Sequence, residues 1–165
     1  MLRVAAASTV LMVVIASCGG EPEVADDRPP VSDSPSSARP SPTKDVRDGT
    51  EITTRSSEFG TILFGRDRQA IYMWQLEKSE KPRCYGGCAE AWPPVLTDGE
   101  PRVAGDVDED LLGTARRKDG STQVTYAGHP LYYYAHEGPG EVKCHNVATH
   151  GGLWWVVQPD GTRAP

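Results

Sequence analysis

Four cysteines carry the most reactive side chains of the chain, and their spacing assigns them different tasks. Cys84 and Cys88 flank a Tyr-Gly-Gly loop, which can bring their Cα atoms within the roughly 4.4–6.8 Å that a disulfide needs. We therefore predict a Cys84–Cys88 disulfide. A bond from Cys84 to Cys144 is the alternative, because these two cysteines lie at matching points of an internal repeat. Thioredoxin-like dithiol chemistry is disfavoured, since it uses the shorter Cys-x-x-Cys spacing.

A second candidate chemistry is metal binding near the C-terminus. All four histidines fall in the second half of the chain: His129, His136, His145 and His150. If Cys144 is free, the set Cys144, His145 and His150 offers one thiolate and two imidazoles, which suit copper or zinc. Haem with an axial His or Cys is a variant. Against this hypothesis, adjacent residues of a strand point to opposite faces, so the histidines are alternatively surface or hydrogen-bonding groups.

Two acids and one tyrosine form a possible binding surface. Glu77 and Glu137 occupy matching repeat positions, and paired acids can act in hydrolysis. A duplicated acid more often repeats a structural task, such as accepting backbone N–H bonds at a strand end. Tyr133 is predicted to face outward, because Tyr132 and Tyr134 share the other face, and it could then stack on a sugar ring, a quinone or a protein. The sequence contains no Ser-His-Asp arrangement, phosphate loop or His-Glu-x-x-His motif, so we predict no enzyme.

An internal repeat organises these residues. At an offset of sixty positions Ala70–Glu77 falls on Pro130–Glu137 and Cys84 falls on Cys144, and with a two-residue insertion 92–99 falls on 154–161. The alternation in these segments is typical of β-strands. We predict a mainly β fold of two tandem repeats, at about residues 59–99 and 121–161, which pack about a pseudo-twofold axis around one aromatic core. One or two short helical turns are expected at Val107–Gly113 and Ala89–Trp92.

Composition divides the chain into two parts. The full 165 residues have Lys+Arg 17 against Asp+Glu 23, a net charge of -6, and no basic cluster, which argues against nucleic-acid binding. All aromatic residues lie at or beyond Phe59, whereas six of the 14 prolines lie between residues 18 and 56. Such a segment cannot offset its ordering entropy. We predict a disordered Pro/Ser-rich tether at 18–56 and a globular domain at 57–165.

The N-terminus has the features of a bacterial export signal. The apolar run Val4–Ala16 is shorter than the roughly 20 residues that span a membrane, so residues 1–17 are predicted to be a signal peptide. The following Ile-Ala-Ser-Cys-Gly sequence resembles a lipobox, in which Cys18 becomes the acylated N-terminus. We therefore expect a lipid-anchored protein on the extracytoplasmic face of the cell membrane.

The repeats resemble a known family. The tandem Tyr-x-aromatic-x-x-acid segments, the Cys-x-x-x-Cys followed by Trp-Pro-Pro, and Gly-His-Pro-Leu-Tyr are similar to the secreted-repeat family of predicted bacterial lipoproteins, from about Thr61 to Gly161. The family motif normally ends in Asp, where this chain has Glu77 and Glu137. The resemblance implies an envelope-attached protein of unassigned activity. We expect a binding or structural module whose partner is an envelope protein or a small ligand; the alternative is a copper, zinc or haem protein of envelope electron transfer or metal handling.

Overall fold

A computed structural model describes residues 49–165, and this part of the chain is mainly β-structure. Its nine strands are β1 (Glu51–Ser57), β2 (Gly60–Phe64), β3 (Tyr72–Trp74), β4 (Arg102–Val103), β5 (Leu112–Arg116), β6 (Thr122–Tyr126), β7 (His129–Tyr132), β8 (Val147–Thr149) and β9 (Gly152–Val156). One short helix, α1 (Gly87–Ala91), and 3-10 turns at Arg66–Arg68 and Glu109–Leu111 complete the described elements. The predicted mainly β class with short helical turns is confirmed.

The described strands form two sheets, and the larger one places the two motif segments side by side. The smaller sheet has the order β2-β1-β4, and the six-stranded sheet has the order β5-β6-β7-β3-β9-β8. Strand β3 pairs antiparallel with β7, so that Tyr72 lies opposite Tyr132. It also pairs with β9, where Tyr72 lies opposite Val156. Equivalent positions of the segments are thus adjacent, as the predicted axis requires, and the axis itself stays a prediction.

Both faces of the large sheet are covered, which differs from the single core predicted above. Tyr72, Trp74 and Trp154 belong to one buried cluster, whereas Met73 and Leu131 belong to a second one. Residues of a strand alternate between its two faces. Because a buried cluster covers each face, every residue of β3 is buried. The prediction of a single core was wrong, because the side chains of β3 are large and apolar on both faces and the period of the pattern does not show what covers each face.

The ordered domain begins earlier than predicted. Strand β1 (Glu51–Ser57) pairs with β2 over five residue pairs, from Thr53 opposite Phe64 to Ser57 opposite Gly60, and Ile52 is fully buried. The tether therefore cannot extend to residue 56. A polar strand with a single large apolar residue gives little sequence signal, because its stability comes from pairing with β2.

The N-terminal predictions fall outside the described residues. These are the signal peptide at 1–17, the acylated Cys18 and the tether up to residue 48. Within residues 49–165, no helix is both long and apolar enough to cross a membrane.

Candidate functional site

The two motif segments are joined by a reciprocal pair of buried hydrogen bonds. The Tyr72 hydroxyl donates to Glu137 Oε1 over 2.6 Å, and the Tyr132 hydroxyl donates to Glu77 Oε1 over 2.8 Å. Each tyrosine thus binds the carboxyl group of the other segment. We call these four residues the Tyr–Glu interlock. Glu77 and Glu137 are only 1% and 6% exposed, so the interlock lies inside the domain and not on the binding surface predicted for the two acids.

Backbone donors complete each carboxylate site. Glu77 follows β3 in a turn closed by its N–H to the Trp74 carbonyl, 3.0 Å, and the chain returns so that the N–H groups of Arg83 and Cys84 donate to Glu77 Oε1 over 2.5 and 3.3 Å. At Glu137 the donor is the Lys143 N–H. This is the structural task expected for a duplicated acid, and it fixes the loop that follows each motif.

The two carboxyl groups differ in their electrostatic surroundings. Arg117, 4% exposed, donates to the Cys84 carbonyl over 2.8 Å and to Gln123 Oε1 over 2.5 Å. Burial raises the pKa of Glu77, and the positive charge of Arg117 opposes that rise. Burial also raises the pKa of Glu137, where the opposing cation is Lys143, an exposed residue.

The second oxygen of each carboxyl group is an unsatisfied acceptor. Oε2 of Glu77 and Oε2 of Glu137 are buried and have no hydrogen-bond partner among the described residues. Burying a polar atom without a partner is unfavourable, and this loss offsets part of what the interlock contributes. Because both carboxyl groups are buried, the interlock is not placed to meet a substrate at the surface.

Stacked aromatic rings surround the interlock. Trp92 and Trp154 are parallel with ring centroids 3.9 Å apart, and Trp74 stacks on Trp154 at 5.3 Å. The interlock tyrosines contact this stack edge-on, Tyr72 against Trp92 and Tyr132 against Trp154, each at 5.3 Å. The stack excludes water from the Tyr–Glu hydrogen bonds, and such a low-polarity environment strengthens them.

The predicted pairing of Cys84 with Cys88 is confirmed. Cys84 and Cys88 form a disulfide with Cα atoms 5.3 Å apart, so the alternative Cys84–Cys144 bond is wrong. Cys144 is a free, buried thiol. Burial raises its pKa, and a hydrogen bond with the Tyr134 hydroxyl opposes that effect.

The predicted metal set is not brought together. Cys144 packs in the aromatic cluster, while both ring nitrogens of His145 are engaged, with the Pro165 carbonyl at 2.9 Å and the Val156 N–H at 3.4 Å. His150 is exposed and contacts Thr149 Oγ1 over 2.9 Å. Across residues 49–165, no group of three or more His, Cys, Asp or Glu side chains is placed to hold a metal ion. The three-ligand set of Cys144, His145 and His150 is therefore not assembled in the described residues, because residues that are close in sequence here have side chains that do not converge.

Tyr133 does face away from Tyr132 and Tyr134, but it is packed and not free. It contacts the second buried cluster, and a Cβ atom on Gly65 would lie 2.0 Å from its hydroxyl oxygen. That hydroxyl accepts the Arg66 N–H, and burial raises the pKa of Tyr133 to about 12. Tyr133 is thus half-buried and not the outward-facing ring predicted, since a turn of the first half covers part of it.

One side of Tyr133 lines a cleft of about 670 Å³, which we call the Tyr133 cleft. Its other lining residues are mostly polar or charged: Thr50, Arg66, Asp67, Gln69, Leu96, Thr97, Asp98, Arg116, Gly120, Ser121 and Thr122. Asp67 and Arg68, in the turn at its edge, have left-handed φ angles of 61° and 59°. Non-glycine residues held in this region store strain and cluster at functional sites.

Sequence reasoning missed the burial of Arg117 and the left-handed backbone of the turn at Arg66–Arg68. A single arginine in the segment Arg-Arg-Lys-Asp looks like part of a solvated charged turn, and only the fold buries Arg117 beside Cys84 and Gln123. The turn had one usable signal, because Asp67 is among the residue types that tolerate left-handed conformations.

The fold and the interlock define a mainly β, disulfide-bonded domain built on two joined motif segments. Residues 113–158 match the family model Lipoprotein_15, described as a secreted repeat of unknown function. The matched residues contain the second motif segment, and the resemblance to the lipoprotein secreted-repeat family is confirmed. No curated protein and no solved structure matches the chain significantly.

Proposed function

We propose that this protein is a lipid-anchored, extracytoplasmic binding module whose Tyr133 cleft takes a polyhydroxylated ligand such as a sugar unit of an envelope polymer. The family match supports a location outside the cytoplasm, and Cys18 in its lipobox-like sequence supports the anchor. The observation that carries the binding function is the composition of the cleft.

The cleft combines groups that suit a neutral polyol. Arg66 and Arg116 supply donors, Asp67 supplies an acceptor, and Leu96 is 44% exposed. Sugar hydroxyls donate and accept at once and therefore use both kinds of group, whereas a simple anion would be repelled by the Asp67 carboxylate. Exposed Leu96 offers apolar surface to the C–H face of a sugar ring. The volume lies in the range of about 300–1,000 Å³ that is usual for small-molecule sites.

The cleft is also preformed. The Gly140 N–H donates to the Arg68 carbonyl over 2.7 Å, and Gln69 Nε2 donates to the Glu137 carbonyl over 3.1 Å. The strained turn is therefore tied to the loop that carries one acid of the interlock. A rigid site loses little entropy on binding.

Calorimetric titration tests this proposal. The full chain with Cys18→Ser, which cannot be acylated, is titrated with cellotetraose and with the tetrasaccharide of N-acetylglucosamine. We expect binding of at least one saccharide, weakened about fivefold or more by Asp67→Ala and by Arg116→Gln, because each removes a hydrogen-bonding group. Arg55→Gln, an exposed residue of β1, is the matched control and should bind normally.

Two outcomes would overturn the proposal. Absence of saccharide binding at millimolar concentrations would remove the ligand class, and binding unaffected by the cleft variants would remove the site. The anchor is tested separately by intact mass of the membrane-extracted protein, where an N-terminal Cys18 carrying acyl chains is expected and an unacylated protein would contradict it.

A further inference from the structure

A second groove lies over the pairing of β3 with β9. Strand residues Met73 and Trp155 are directly opposite each other and line a cavity of about 300 Å³ together with Lys78, His129 and Arg163. An adjoining cavity of about 610 Å³ shares Lys78 and His129 and adds Glu80 and Lys81. The two cavities therefore meet at Lys78 and His129, and we treat them together. We call the combined space the cationic groove, defined by Lys78, Lys81, His129, Trp155 and Arg163.

The floor of the groove is apolar and aromatic. Met73 is 7% exposed, and Trp155 is half-buried. The Arg163 guanidinium lies 4.6 Å from the centroid of the Trp155 ring, so a cation is already held over this aromatic face. The Trp155 indole N–H is buried and has no partner among residues 49–165.

The rim of the groove is positive in a chain whose net charge is -6. Lys78, Lys81 and Arg163 are exposed on it, and Glu80 is the carboxylate that lines the same space. The nearby Asp160 carboxylate accepts hydrogen bonds from the Thr162 N–H and hydroxyl over 2.9 and 2.7 Å. Three like charges beside an aromatic face repel one another, and an anion in the groove would relieve that repulsion.

His129 is held in one orientation at the junction of the two cavities. Its Nδ1 lies 2.9 Å from the Glu77 carbonyl oxygen, which can only accept, so Nδ1 carries the proton. Nε2 is then the ring nitrogen left for a ligand. The same contact ties the groove to the loop that starts at Glu77.

We propose that the cationic groove binds a small aromatic carboxylate, with its ring in the cavity that Met73 and Trp155 line and its carboxylate between Lys78 and Arg163. An inorganic anion would leave the aromatic floor unused, and a neutral aromatic molecule would leave the cations unpaired. This site is separate from the Tyr133 cleft and does not depend on saccharide binding there.

Calorimetry with three matched probes tests the site in the full chain carrying Cys18→Ser. The probes are 1-naphthoate, its neutral analogue 1-naphthalenemethanol, and inorganic phosphate. We expect 1-naphthoate to bind more tightly than either of the others, and its affinity to fall as salt concentration rises. Lys78→Gln and Arg163→Gln should each weaken naphthoate binding about fivefold, and Trp155→Leu should weaken it at least as much. Lys118→Gln, an exposed lysine that does not line the groove, should leave it unchanged.

Each contrary result overturns a stated part of the proposal. Equal affinity for the neutral analogue would show that the cations do not select the ligand. Equal affinity for phosphate would show that the aromatic floor does not contribute to binding. If naphthoate does not bind, the groove is not a site of this class. Circular dichroism spectra that match the parent chain would show that a variant lost binding and not its fold.

Discussion

Removal of one hydroxyl from the Tyr–Glu interlock should destabilise the whole domain. Tyr72→Phe deletes the donor that Glu137 Oε1 receives over 2.6 Å. It also deletes the acceptor that lies 3.5 Å from the Cys144 backbone nitrogen. The ring, with its edge contact to Trp92, is retained. The substitution therefore isolates the hydrogen bonds from the packing.

The expected loss follows from what remains around Glu137. A hydrogen bond to a charged group contributes about 1.5–3 kcal/mol, and leaving a buried acceptor short of a partner is costly. We expect the free energy of unfolding to fall by about 2–3 kcal/mol for Tyr72→Phe. Tyr132→Phe should cost less, about 1.5–2 kcal/mol, because Glu77 keeps two backbone donors and the charge of Arg117.

Urea denaturation of the Cys18→Ser chain, with the disulfide intact, measures these losses. A double-mutant cycle then tests whether each tyrosine is coupled to the acid of the other motif segment. Tyr72→Phe with Glu137→Gln should show a coupling of about 1 kcal/mol, because a charged acceptor is replaced by a neutral one. Tyr72→Phe with Glu77→Gln, the mismatched pair, should be additive within about 0.5 kcal/mol.

Two results would refute this reasoning. One is a Tyr72→Phe loss below about 0.5 kcal/mol, the size of an ordinary surface substitution. The other is a coupling for the mismatched pair as large as that for the matched pair. Tyr85→Phe is the control, since its hydroxyl accepts a hydrogen bond from the backbone of an exposed residue, and it should change little.

Three further predictions concern the same region. Burial raises the pKa of Glu77 and Glu137 above the ordinary 4.5. Above pH 4.5 the folded domain therefore keeps protons on these two acids that the unfolded chain has released. The contribution of the two acids to the free energy of unfolding should be greatest below pH 4.5 and decline as pH rises through the raised pKa values. The test is the difference in the free energy of unfolding between the parent chain and Glu137→Gln, measured as a function of pH. A difference that does not decline over this pH range would contradict the prediction. Arg117→Gln should cost about 3 kcal/mol in urea denaturation, because it removes a buried, hydrogen-bonded charge, and a cost below about 1 kcal/mol would argue against that role. Iodoacetamide should modify Cys144 slowly in the native chain and quickly in urea, whereas the disulfide-bonded Cys84–Cys88 pair should not react without reductant; rapid native labelling, read by mass mapping, would mean that the thiol is not buried.

Several features were predictable because local chemistry decides them. The Tyr-Gly-Gly loop permits the Cys84–Cys88 disulfide whatever surrounds it, and alternating apolar residues favour strands at β3 and β7. The structural role of the paired acids also followed from their repetition. These inferences needed only spacing, backbone geometry and residue type.

Other features depended on contacts between distant segments. The extra strand β1 is stabilised by pairing with β2, and the exposure of Tyr133 is decided by the turn around Gly65. The set of Cys144, His145 and His150 is not assembled for the same reason, because the direction of each side chain depends on the segments that carry it and not on its distance along the chain.

The sequence by itself determined the β class, the order of the motifs and the family resemblance, since each depends on local pattern or composition, and it favoured the Cys84–Cys88 disulfide over the alternative. Only the tertiary structure decided that each motif tyrosine binds the acid of the other motif. It also decided that Arg117 is buried beside one of those acids, and that the Tyr133 cleft and the cationic groove open on the surface. The physical reason is that a carboxylate sixty residues away becomes a hydrogen-bond partner only when strand pairing places Tyr72 opposite Tyr132.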